Sequence, residues 1–87
     1  MRIISEDRET DVPYEQYIIC LDECSEKEGC YCITAQRSGD EQLTYVLAET
    51  EHYKMARAAM EKIQEAYHDG AKIIWMDVIM EEVRSEC

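Results

Sequence analysis

Tyr17-Ile18-Ile19-Cys20-Leu21, Cys30-Tyr31-Cys32-Ile33-Thr34-Ala35-Gln36-Arg37 and Leu43-Thr44-Tyr45-Val46-Leu47 are three runs rich in β-branched and aromatic residues. Their reading decides the fold. Polar residues 23–29 separate the first pair, and Ser38-Gly39-Asp40 separates the second. A hairpin centred on Glu26 sets Tyr17, Ile19 and Leu21 opposite Ala35, Ile33 and Tyr31. A tight turn centred on Gly39 sets the same three residues opposite Leu43, Tyr45 and Leu47. Strand side chains alternate with period two, so two independent turns that gather all these apolar groups on one face predict a three-stranded meander.

The pattern changes downstream. Thr50 is placed as a helix N-cap with Glu51 in the first turn, where the helix dipole favours an anion. From 52 to 68, Tyr53, Ala56, Ala59, Met60, Ile63 and Tyr67 form one helical stripe, which is expected to lie on the apolar sheet face. Asp69-Gly70 is the stop signal. Residues 71–80 read as a final strand buried on both faces, with a short amphipathic helix as the competing reading, and 81–87 as a polar tail. Upstream, Arg2–Ser5 and Thr10–Val12 form short strands around the charged turn Glu6-Asp7-Arg8-Glu9. Pro13 lacks an amide donor and belongs at a sheet edge. The expected fold is α+β: a single domain over 1–87 with an antiparallel sheet of about four to five strands and one amphipathic helix packed on one face, in the order β-β-β-β-α-β.

Twenty Asp and Glu face nine Lys and Arg, giving a net charge of −11. That excludes sequence-independent binding to nucleic acid or anionic lipid, which needs basic groups to neutralise phosphate. It favours a basic protein surface as partner. Leu, Ile, Val and Phe make up 16 of 87 residues, a compositional sign of disorder, but six Tyr, five Met, five Cys and one Trp add apolar area in periodic runs. The sequence has no run long enough to span a bilayer and no signal-peptide core, so a cytoplasmic location in a host cell with reduced thiols is expected, without membrane contact.

The opening Ile3-Ile4-Ser5, Asp7 and Asp11-Val12-Pro13-Tyr14-Glu15 resembles the start of small phage and prophage proteins of Gram-positive bacteria. Leu47-Ala48-Glu49 and the helix with Ala56, Met60 and Glu65-Ala66-Tyr67 are similar to them as well. This chain departs from their pattern by lacking Gly in the first turn and by its cysteine cluster. The resemblance implies a mobile-element origin and an anti-defence role of the anti-CRISPR type, by imitation of DNA. It carries over no catalytic residue.

The candidate partner-binding residues are the acids of two loops: Glu6, Asp7, Glu9 and Asp11, then Asp22, Glu23, Glu26 and Glu28. Spaced carboxylates can stand in for phosphates before a basic groove. Asp40, Glu41, Glu49 and Glu51 form a second acidic group. The registers above also set Cys20 opposite Cys32 on the outer face, beside Cys30 and with Cys24 just beyond. Four thiols could hold zinc, but C-x3-C-x5-C-x-C is not the paired spacing of zinc ribbons, so they are read as small apolar residues and no metal or cofactor is expected. Ile18, Cys20, Cys30, Cys32, Thr34, Val46 and Ala48 make that face apolar, to be covered by the N-terminal segment or by a second copy. His52 and His68 sit at opposite ends of the helix, too far apart to share a site. No catalytic constellation stands out. The function expected is a non-enzymatic inhibitor of a basic host protein, such as a nuclease that binds nucleic acid. The alternative is a structural or oligomerisation domain with a cysteine-rich, zinc-binding hairpin.

Overall fold

The computed structural model describes residues 1–24, 28–37 and 40–86, and the side chains of 40–43 lie outside that description. The elements run β1 (Arg2–Ile4), β2 (Asp11–Pro13), a 3-10 turn (Tyr14–Gln16), β3 (Tyr17–Glu23), β4 (Tyr31–Arg37), β5 (Asp40–Thr50), α1 (Tyr53–His68), β6 (Ile73–Trp75) and α2 (Met76–Glu86). The α+β class is the one the sequence implied. The strands divide into two sheets, β2-β1-β6 and β3-β4-β5.

The meander keeps the expected face but shifts its register. Tyr17, Ile19 and Leu21 stand opposite Arg37, Ala35 and Ile33, two residues from the sequence reading. A two-residue slip preserves which side chains face inward, so the facial pattern cannot detect it. It does separate the cysteine pair: Cys20 faces Thr34 and Cys32 faces Asp22. On the other side, Ala35 pairs with Tyr45 rather than Leu43. Thr34 opposes Val46 while Ile33 opposes Ala48, so Leu47 is an extra residue in β5, a β-bulge. The bulge lets two consecutive residues point inward, Leu47 at 1% and Ala48 at 3% exposure. Ala48 therefore belongs to the core and not to the outer face.

α1 lies on the inner face through Ala56, Ala59 and Ile63. Tyr53 and Tyr67, at the ends of the stripe, are half exposed; Tyr53 meets Tyr31 edge-to-face and Tyr67 meets Tyr14 with its ring tilted, with ring centroids 5.4 and 4.5 Å apart. The cap differs from expectation by two residues. Thr50 ends β5, its hydroxyl accepts the His52 amide at 3.3 Å, and His52 occupies the N-cap position. The first turn consequently holds no acid. The stop is as read. Gly70 takes φ +83°, its amide donates to Tyr67, and Ala71 donates back to Ala66. This is the paired Schellman arrangement that satisfies the last carbonyls.

The chain end differs most. Only 73–75 are strand, with Ile74 buried and Ile73 and Trp75 exposed. α2 then buries Met76, Ile79, Met80 and Val83. The expected strand 71–80 and polar tail are thus a three-residue strand and an eleven-residue helix. The meander's outer face is exposed at Ile18 and Val46 and buried at Cys30, Cys32 and Thr34, and the N-terminal segment forms a second sheet instead of lying flat across it. Ile3, fully buried, pairs with Val12 on one side and Ile74 on the other. β6 runs parallel to β1, and Pro13 ends β2 at the sheet edge, where its missing donor costs nothing.

Ile33, 1% exposed between Leu21 and Ala48, is the centre of the meander. Ile33→Ala is expected to lose about 2–5 kcal/mol in a urea titration, with the slope unchanged. Gly70→Ala meets no steric neighbour but must hold a positive φ, so about 1–2 kcal/mol is expected there.

Candidate functional site

The first acidic loop is built on Ser5. Its side chain is buried, its hydroxyl accepts the Thr10 amide at 3.0 Å and donates to Asp7 Oδ1 at 2.5 Å. The Glu9 amide donates to the same oxygen at 3.0 Å. This knot holds Arg8 at φ 64°, the left-handed conformation that the absent glycine would have supplied. The Arg8 guanidinium compensates. It lies 4.7 Å from the Trp75 ring centroid and donates to Asp77 Oδ2 at 2.8 and 3.1 Å.

Hydrogen bonds from the Ser5 hydroxyl and then the Glu9 amide hold the Asp7 carboxyl below its ordinary range. Asp77 is lowered as well, first by its hydrogen bond from Arg8.

The loop docks on the bulge. The Glu6 amide donates to the Leu47 carbonyl at 2.7 Å. Glu6 Oε1 lies 3.4 Å from the Glu49 amide, and Glu6 Oε2 accepts from Arg84 of α2 at 3.1 Å. Glu6, Asp7, Val46, Leu47, Ala48 and Glu49 line a cleft of about 410 Å³ there. Glu49 is the residue the sequence reading set apart from the partner-binding group. It faces Cys32 across the ladder, and Cys32 faces Asp22 on β3. Adjacent strands lie about 4.8 Å apart, so Asp22, Glu49 and Glu6 form a transverse row that joins the two acidic loops. What identifies Glu49 is the bulge, which no residue pattern announces.

The predicted residues are not equivalent. Asp11 is ion-paired with Arg2 on β1, and Glu6 with Arg84, so both charges are partly answered inside the chain. Glu9, Glu23 and Glu28 are exposed and carry no ion pair among the described residues. Asp22 is exposed and accepts from the Thr34 hydroxyl at 3.3 Å. Glu26 lies outside the described residues.

The cysteines gather one step along the hairpin. The Cys24 amide donates to the Cys30 carbonyl at 2.8 Å, and the Cys24 thiol is within hydrogen-bonding reach of those of Cys30 and Cys32. Cys20 lies apart, opposite Thr34. Burial first, with the charges of Asp22 and Glu49 adding to it, pushes the Cys32 thiol up. At Cys24 the hydrogen bond from Cys30 pulls downward, but desolvation, Cys32 and Glu49 outweigh it and its thiol is also raised. Among the described residues, no group of three or more His, Cys, Asp or Glu could hold a metal ion. No described helix is long and apolar enough to cross a membrane. Ile18 and Val46 on the outer face are about half exposed.

No protein family, curated protein or solved structure matches the chain.

Asp7 and Asp77 give a pH test. Their folded-state pKa values are lowered, so their stabilisation is present at neutral pH and is lost as pH falls through the acid range into those values. Relief of the −11 self-repulsion acts in the opposite direction. Asp77→Asn is therefore expected to show a smaller loss of melting temperature between pH 7 and pH 3 than the parent chain, measured by circular dichroism.

Proposed function

We propose that the chain is a non-enzymatic protein-binding protein that occupies the basic groove of a nucleic-acid-binding host protein. The observation that carries this reading is the row from Asp22 through Glu49 to Glu6, which makes one acidic band of two loops distant in sequence. Asp7, Glu9, Glu23 and Glu28 extend the band at its ends, and most of its charges are not neutralised internally. A rigid display suits this task, because pre-ordered carboxylates lose little freedom on binding. Ser5 fixes one end and the β3–β4 ladder the other. A mobile-element inhibitor acting on a defence nuclease is the specific form of this proposal.

The test begins with immobilised protein, host lysate and elution by salt. Binding of the captured protein is then measured in solution. The on-rate should fall steeply with added salt, since exposed charges are screened beyond about 8 Å at physiological ionic strength. Duplex DNA or RNA should compete. Glu23→Lys with Glu49→Lys should weaken binding at least about tenfold, with stability changed by less than about 0.5 kcal/mol per site. Glu61→Lys with Glu65→Lys, on the exposed side of α1, should leave affinity unchanged. A captured protein that keeps its nucleic acid while bound, and tolerates the first double variant, rejects the proposal.

A further inference from the structure

We infer that Cys24 and Cys30 are a dithiol that a low-molecular-weight disulfide converts to an intramolecular disulfide, closing the β3–β4 hairpin covalently. The inference does not rest on the partner reading, and its readout involves no partner.

Register supplies the argument. The ladder runs Leu21↔Ile33, Asp22↔Cys32, Glu23↔Tyr31, and its next step sets Cys24 against Cys30. The 2.8 Å bond from the Cys24 amide to the Cys30 carbonyl carries the same register one residue beyond the ladder. Directly opposed, hydrogen-bonded antiparallel residues have Cα atoms about 5.5 Å apart, inside the range that a disulfide spans. The Cys24 thiol also interacts with its neighbours, drawn down by Cys30 and pushed up by Cys32, so register and not thiol contact selects Cys30 as its cross-strand partner. Across the ladder Cys20 stands against Thr34 and Cys32 against Asp22, so Cys32, although its thiol interacts with that of Cys24, is not Cys24's cross-strand partner.

Burial orders the chemistry. Cys24 is partly exposed and Cys30 is 7% exposed. The Cys24 thiolate attacks one sulfur of the small disulfide and forms a mixed disulfide with it, while the S–S bond breaks and the other sulfur leaves as a thiolate that takes up the proton Cys24 released. The Cys30 thiolate then attacks Cys24 Sγ of the mixed disulfide and expels the second small thiolate, which takes up the second proton. The protein pair loses two electrons and the small disulfide gains them, becoming two thiols.

Treating the reduced, folded chain with oxidised glutathione tests this. Trypsin cuts after Lys27, so the product joins peptide 9–27 to peptide 28–37 and weighs two hydrogens less than their sum. The link should survive in Cys20→Ser and Cys32→Ser and vanish in Cys24→Ser. In Cys30→Ser the glutathione adduct should accumulate on Cys24, since the resolving thiol is gone. Oxidation should raise the melting temperature by about 5–10 °C. A link that persists in Cys24→Ser, one that forms only in urea, or an adduct that never resolves in the parent chain overturns the inference.

Discussion

The hydrogen bond from the Glu6 amide to the Leu47 carbonyl is the seam of the molecule. Leu47 is the extra residue of the β5 bulge, and its carbonyl serves the turn that follows β1. Its side chain meanwhile fills the core at 1% exposure. One backbone irregularity thus performs two tasks. It turns two successive β5 residues inward over α1, and it offers an acceptor on which the first sheet docks. Removing the bulge would send Leu47 or Ala48 to the solvent side and leave the Glu6 amide without its partner. The acidic row depends on the same seam, because it is Glu6 against Glu49 that brings the first loop to the second.

Four of the chain's nine Lys and Arg are placed where carboxylates meet joints. Arg2 braces the β1–β2 hairpin through Asp11. Arg8 ties the first turn to the start of α2 through Asp77, and Arg84 ties the end of α2 back to Glu6. Lys62 links α1 to α2 through Glu86 and Glu82. Each bridge is exposed and individually weak. Together they show how a protein with net charge −11 keeps its repulsion away from the contacts between elements. Glu9, Glu23, Glu28 and Glu49 are among the exposed carboxylates that none of these bridges answers.

Much of this was legible in the sequence and some was not, for physical reasons. Period-two alternation reports which side chains share a face, so Tyr17, Ile19, Ile33 and Ala35 were assigned correctly. It is blind to slips of two residues, and that slip moved Cys32 from Cys20 to Asp22. Gly70 was readable because a left-handed stop constrains residue choice. Met76, Ile79, Met80 and Val83 hold the i, i+3, i+4, i+7 spacing of a helix, a signal obscured by the apolar run Ile73-Ile74-Trp75 just before it. The parallel pairing of β1 with β6 was not legible, since nothing local in Ile3 or Ile74 encodes its partner. The acidic loops were found by composition, and Glu49's role in joining them was not.

That parallel pairing has a consequence for the order of events during synthesis. The meander and α1 contain their own neighbours, and each hairpin contact closes a short loop. Ile3 cannot bury itself until Ile74 has been made, because β1 is the central strand between β2 and β6. β1 therefore waits, unpaired on one side, until residues 73–75 have been made. Long-range closure of this kind is slow relative to local pairing. Two features help it wait safely. The charged turn at Glu6–Glu9 and the donor-less Pro13 make the nascent β1–β2 hairpin a poor template for pairing with other chains.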